Sequence, residues 1–204
     1  MSTISNTLAS YTTLLILLLM GMAGSAHAQT SPEAVQALLQ DRDQEIKAVL
    51  GTQDSFTDAQ RAELKDLING FIDFEAMGRH ALGRHWEPLS ETEQTEFVTV
   101  FSDIVRNQSL ADLDVYRADV QYQSVDVDGD SAYVVTATSY QNVATEVAYV
   151  LGHDGTTWRA HDILLDDVST ADGYARSFQT MIRKRGFEAL MTQLEKKRDA
   201  SNTR

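Results

Sequence analysis

Two pairs of residues that include histidine are the first candidates for a metal-binding or catalytic site in this sequence. His80 and His85 are five residues apart, whereas a zinc-binding helix places two histidines four apart with a glutamate between them. We therefore interpret this pair as part of a polar helix surface. His161 and Asp162 are adjacent near the end of a predicted strand. A carboxylate can orient a histidine as a general base, but neighbouring side chains of a strand point to opposite faces, so this pair is not expected to form.

Three aspartates, at positions 126, 128 and 130, resemble the start of a calcium-binding loop. The glutamate that should close such a loop is missing from the sequence, and a hairpin turn around Gly129 explains the aspartates better. The sequence also contains no GxSxG, P-loop or GxGxxG motif. The sequence therefore offers little evidence for an enzyme.

The stretch from residue 118 to residue 165 predicts the central sheet. Runs rich in Val, Thr and Tyr alternate with Asp, Asn and Gly, which is typical of an antiparallel meander. The four predicted strands cover residues 119–127, 131–141, 143–152 and 157–165. On the second strand, Val134, Thr136 and Tyr140 share one face, and Tyr133 and Val135 share the other. Both faces are partly apolar, so either helices cover both faces or one face lines a cavity for an apolar ligand.

Helical periodicity precedes and follows the predicted sheet. Ser31 and Pro32 are suitable for the start of a helix that Gly51 ends. Ser90 and Glu93 form a capping box that opens the most strongly amphipathic helix, predicted to reach about residue 113. Helices first, four strands next and helices last predict an α+β protein, and a small sheet covered by helices is similar to the NTF2-like plan.

The composition is that of an ordinary globular protein, with 43% hydrophobic and 23% charged residues among 204. The net charge of −13 is uneven, at −17 for residues 29–180 and +4 for residues 181–204. An acidic body argues against nucleic acid as a partner.

Residues 1–28 carry no charged side chain, and an apolar run at 14–20 precedes Ala26-His27-Ala28. This pattern predicts a secretory signal peptide cut after residue 28, although retention as an anchor remains open, and a single domain from 29 to 204.

Four segments in order along most of the mature chain form one recognisable pattern: residues 71–86 (FIDFEAMGRHALGRHW), 89–101 (LSETEQTEFVTVF), 158–162 (WRAHD) and 183–190 (RKRGFEAL). Together they resemble the MlaC or toluene-tolerance family of periplasmic phospholipid-binding proteins. The chain departs from the family pattern at Asp167, where relatives have glycine, and at Gly173-Tyr174-Ala175, where many have Asn-Tyr-Arg.

The resemblance implies a monomeric periplasmic carrier that is not an enzyme. Such a protein has no cofactor and encloses the acyl chains of a phospholipid, its cargo, between sheet and helices. It would carry lipid between an outer-membrane lipoprotein–porin complex and an inner-membrane ABC transporter with MCE domains, which maintains outer-membrane lipid asymmetry. Two alternatives are an NTF2-like enzyme acting on a small apolar substrate and a structural envelope protein with a filled core.

Seven apolar residues on the amphipathic helix and the strands are predicted to line the lipid cavity, although ordinary core packing would explain about half of them equally well. These residues are Phe97, Phe101, Ile104, Val134, Tyr149, Ile163 and Val168.

Overall fold

The computed structural model describes residues 30–202 and confirms the predicted α+β class. The helices are α1 (Pro32–Leu50), α2 (Asp58–Asn69), α3 (Phe74–Leu82), α4 (Glu91–Ser109), α5 (Thr170–Arg185) and α6 (Phe187–Asn202). The strands are β1 (Val120–Asp128), β2 (Ser131–Tyr140), β3 (Val143–His153), β4 (Trp158–Leu165) and β5 (Val168–Ser169). Two short 3₁₀ helices lie at Gly83–His85 and Leu113–Arg117. The predicted signal peptide lies outside the described residues.

The helix ends follow the capping residues of the sequence. The hydroxyl of Ser31 accepts a hydrogen bond from the Ala34 amide at 3.2 Å and starts α1. The amide of Ser90 donates to the Glu93 carboxylate at 2.8 Å, while the Glu93 amide donates to the Ser90 hydroxyl at 3.3 Å. The predicted capping box is therefore confirmed. Helix α4 ends at Ser109, four residues before the predicted end, and the 3₁₀ helix begins at Leu113 after three residues that belong to no helix.

The sheet is antiparallel, with the strands in the order β1-β2-β3-β4-β5. Its first four strands are those predicted, and the hairpin between β1 and β2 turns at Gly129, whose φ is +57°. The fifth strand was not predicted. It contains only two residues and pairs Leu165 with Val168, and a run so short has no periodicity to reveal it.

The loop between α2 and α3 covers the free edge of β4. The Asp73 amide donates to the Ala160 carbonyl at 2.9 Å, and the Ala160 amide donates to the Phe71 carbonyl at 2.8 Å. These two bonds form a parallel bridge between Ile72 and Ala160. Because an exposed strand edge would leave such groups unpaired, the loop both protects the sheet and fixes the helices against it.

The centre of the core is a group of aromatic rings on α4 and α5. Phe97 and Phe101 stack with their centroids 5.6 Å apart, and the Phe178 ring meets both nearly at right angles. A smaller cluster, built on Leu50 and Leu64, joins α1 to α2. Within residues 30–202, the helices are too short or too polar to cross a bilayer.

Candidate functional site

A cavity of about 700 Å³ lies between the inner face of the sheet and helix α1. Its other walls come from the end of α2, the end of α4 and the 3₁₀ helix Leu113–Arg117. Three wall residues are among the most exposed large hydrophobic side chains of the described chain, namely Val115 (40%), Val143 (63%) and Leu165 (50%). A side chain that lines a cavity and is also exposed lies where the cavity meets solvent. These three side chains therefore mark the cavity opening.

Helix α1 contributes one side of the wall through residues at helical spacing. Leu39, Arg42, Asp43 and Ile46 lie at positions i, i+3, i+4 and i+7 and therefore share a face. Each of the two charged side chains on this face contacts a neighbouring side chain. The Arg42 guanidinium lies 5.3 Å from the centroid of the Phe71 ring, and burial lowers the pKa of Arg42. Asp43 pairs with Lys47, which is one turn further along the helix, at 2.8 Å.

The opposite wall is the inner face of β2, β3 and β4. Because cross-strand partners share a face, the register pairs Thr136 with Val147 and Tyr149 with Ile163 on the cavity side. The Thr136 hydroxyl donates to the Val147 carbonyl at 3.0 Å, so its oxygen is satisfied without a ligand. Towards the opening, Tyr140 continues the same face. The wall thus combines aliphatic groups with threonines whose methyl groups are apolar.

Five tyrosines line the cavity, out of seven in the whole sequence. They are Tyr116, Tyr122, Tyr140, Tyr149 and Tyr174. The Tyr116 hydroxyl donates to the Ser109 carbonyl at 3.1 Å, and the Tyr174 hydroxyl donates to the Gln108 side chain at 2.7 Å. Burial raises the pKa of Tyr116 and of Tyr149 to about 12. The phenol groups of both therefore stay neutral at physiological pH, and their rings serve as apolar wall.

The residues first considered for chemistry lie elsewhere. His161 is the extra residue of a β-bulge in β4, with its ring over Gly152 and its Nε2 3.8 Å from the Asp73 carboxylate. Asp162 instead accepts hydrogen bonds from the Ser169 hydroxyl and the Ala171 amide, so it holds the start of α5 against β4.

The remaining histidine site is a surface contact. His80 lies 2.7 Å from an Asp172 carboxylate oxygen, and both side chains are exposed, as expected for a polar helix surface. Residues 30–202 contain no group of three or more histidines and carboxylates arranged to hold a metal ion. The arrangement around the cavity is suited to bind an apolar chain.

Of the seven residues predicted to line the cavity, the structure places two, Tyr149 and Ile163, in its wall. Four others are at most 1% exposed and lie in the packed core, namely Phe97, Phe101, Ile104 and Val134. Val168 is 61% exposed on β5 and pairs with Leu165 beside the opening. The wall residues of α1 and of the 3₁₀ helix were missed. Their sequence pattern shows which helix face is buried, but it does not show whether that face contacts the core or a cavity.

The fold and the cavity define an α+β protein with an apolar cavity between an open sheet and its helices. The chain belongs to the MlaC family, since the family model described as "MlaC protein" matches residues 34–196. A phospholipid-binding protein from Ralstonia solanacearum, solved in complex with a phospholipid, has a similar structure. The TM-score is 0.71 at 17% sequence identity, and the match covers 82% of this chain and 98% of that one. Among curated proteins, no significant match was found.

Proposed function

We propose that this protein is a carrier that holds the acyl chains of a phospholipid in the cavity and leaves the headgroup near the opening. The observation that supports this most directly is the cavity itself, an apolar space of about 700 Å³ walled by side chains of the sheet and of α1. The membership of the MlaC family and the phospholipid in the similar Ralstonia solanacearum protein agree with this proposal.

The volume of the cavity sets the scale of binding. When a cavity is measured with a water-sized sphere, each water-sized group needs about 10–15 Å³, so about 700 Å³ leaves room for the ~30 methylenes of two acyl chains. Removing that number from water contributes roughly 24 kcal/mol at about 0.8 kcal/mol each. A bilayer offers the same methylenes a similar environment. Transfer between membrane and protein is therefore near balance, as a reversible carrier requires.

We further propose that the carrier works as a monomer in the periplasm, after export by the signal peptide at residues 1–28. Its partners would be an outer-membrane lipoprotein–porin complex and an inner-membrane ABC transporter with MCE domains. The exposed apolar side chains Val115, Val143 and Leu165 would meet these partners, because lipid must pass without crossing water. The charge of −17 on residues 29–180 favours partner surfaces that are basic.

Binding without catalysis is the simplest function of this site. The titratable side chains in the described wall are Arg42, Asp43 and tyrosines. The pKa values of Tyr116 and Tyr149 lie too high for general-base catalysis near neutral pH.

Detergent-free purification from a Gram-negative periplasm followed by native mass spectrometry tests the proposal. The protein should carry phospholipid, and organic extraction should recover a diacyl species. Loss of lipid should be slow in buffer and fast when acceptor vesicles are present. A single peak at the lipid-free mass, with an extract that contains no phospholipid, would refute the carrier function and favour a filled-core structural protein.

A further inference from the structure

Arg42 is a cationic side chain in the wall of a largely apolar cavity. Its Nε is buried and has no hydrogen-bond partner in the described chain. Its Nη1 donates one long hydrogen bond, of 3.4 Å, to the Leu67 carbonyl, and the guanidinium lies 5.3 Å from the centroid of the Phe71 ring. Because a guanidinium can donate through each of its nitrogens, Arg42 has donors that the protein does not use.

The charge of Arg42 also lacks a counterion. No carboxylate of residues 30–202 forms an ion pair with it, and Asp43, the next residue on α1, pairs with Lys47 at 2.8 Å. Burial is the main cause that lowers the pKa of Arg42, and the charge of Glu45 only partly offsets it. Folding has therefore already removed part of the water from this guanidinium, so a bound anion would meet a cation that needs a partner.

Arg42 lies towards the inner end of the cavity. Its guanidinium packs on Phe71, and the centroid of that ring is 6.2 Å from the centroid of the Tyr149 ring. Tyr149 pairs with Val134, which is packed in the core, so the cavity ends at this level of the sheet. Val143, at the outer end of the opening, precedes Tyr149 by six residues on β3, or about 20 Å at ~3.3 Å per residue. A headgroup held at that outer end leaves Arg42 unpaired.

We propose that the cavity also binds a single-chain fatty acid, whose carboxylate pairs with Arg42 and whose chain extends towards the opening. A carboxylate matches the fork of a guanidinium, and the chain behind it contains no further polar group that would lose water on binding. This orientation is opposite to that of a phospholipid, whose phosphate stays at the opening. The inference rests on the proposed lipid-binding function and extends it to a second class of cargo.

Laurate and 1-dodecanol, which have the same chain length and differ in charge, test this assignment. Each is titrated into the delipidated protein by isothermal titration calorimetry at neutral pH, where laurate is ionised. Arg42→Met removes the charge and keeps an unbranched side chain beside Phe71. Arg61→Met is the matched control, because Arg61 lies over the Phe56 ring at 5.9 Å and outside the cavity wall. Loading of dioctanoyl phosphatidylcholine, counted by native mass spectrometry, shows whether a phosphate uses the same group.

Arg42→Met should bind laurate about tenfold or more weakly than the wild type, because the charge-assisted hydrogen bonds are lost. It should bind 1-dodecanol and phosphatidylcholine like the wild type, and Arg61→Met should bind all three like the wild type.

Equal affinity of the wild type and Arg42→Met for laurate would overturn the assignment. A parallel loss of laurate and 1-dodecanol in Arg42→Met, or an equal loss of laurate in Arg61→Met, would overturn it too, since the effect would then not come from an ion pair at Arg42. A loss confined to phosphatidylcholine would place the phosphate at Arg42 and overturn it as well. A wild type that takes up phosphatidylcholine but no laurate would overturn this inference alone, whereas a wild type that takes up no phosphatidylcholine would refute the carrier function.

Discussion

A carboxylate placed in the wall of the cavity should make lipid loading depend on pH. Val147 is at the middle of β3 and faces the cavity between Thr136 and Leu165 on the neighbouring strands. In the empty protein, a glutamate at this position stays solvated through the opening, so Val147→Glu should fold. When acyl chains fill the cavity they remove this water, and the glutamate must become protonated before the lipid can bind.

The cost of that protonation follows from the ordinary pKa of glutamate. With a pKa of about 4.3 in the empty protein, neutralisation at pH 7 costs about 3.7 kcal/mol, which lowers the loading constant about 500-fold. At pH 5 the same step costs about 1 kcal/mol, and the loss is about sixfold. Because the loaded state raises the pKa of the glutamate, loading should recover as the pH falls towards 4.3.

Equilibrium loading from vesicles at pH 7 and pH 5, expressed relative to the wild type at the same pH, measures this effect. The ratio to wild type cancels the effects of pH that both proteins share. Val147→Gln provides a side chain of equal size that does not titrate, so its loading should be the same at both pH values. Val135→Glu adds a carboxylate on the opposite face of β2 and should load like the wild type. Loading of Val147→Glu that is normal at pH 7, or that is lost equally at both pH values, would refute this account of the cavity.

Three further variants test other parts of the structure. Arg117 donates hydrogen bonds to carbonyl oxygens that follow the end of α1. Arg117→Met should therefore lower the free energy of unfolding by about 2 kcal/mol in chemical denaturation. As a control, substitution of the exposed Arg183 by Met should change it by less than about 0.5 kcal/mol. Burial raises the pKa of Tyr149 to about 12, so the free energy of unfolding should fall by about 2 kcal/mol as the pH rises from 10 to 12. The fall should be smaller in Tyr149→Phe when denaturation curves are compared. Tyr174→Phe removes the hydrogen bond to Gln108 and keeps the ring, so it should lower the free energy of unfolding by about 1 kcal/mol in chemical denaturation.

The architecture was largely predictable because its signals are local. Capping side chains such as Ser31 and Ser90 satisfy backbone amides within three residues of themselves, and the hairpin at Gly129 needs only a turn residue between two β-rich runs. The bridge between Ile72 and Ala160 joins residues distant in sequence, and no local pattern encodes such a pairing. Strand β5 pairs with residues only three to five positions away, but its two residues are too few to show the period of a strand.

The cavity wall was less predictable because a hydrophobic period identifies a buried face without identifying what covers it. Phe97 and Phe101 were placed at the ligand on this basis, but in the structure α5 and α6 cover that face of α4 with Phe178 and Phe187. The strand face that begins at Val134 was correctly recognised as continuous. It is divided along its length: Val134 is packed in the core, whereas Thr136 and Tyr140 line the cavity. The change from aliphatic to threonine and tyrosine side chains is the sequence signal that marks this boundary.

The uneven distribution of aromatic residues separates two optical signals in this protein. The sequence contains two tryptophans, and both are buried and not part of the cavity wall, Trp86 against Phe97 and Trp158 against His153. Tyrosines, in contrast, are concentrated in that wall. Indole fluorescence will therefore follow the folding of the chain, while phenol absorbance in the near ultraviolet will respond when cargo replaces water around the rings. A single sample can thus report on folding and on occupancy through separate chromophores, without an attached label.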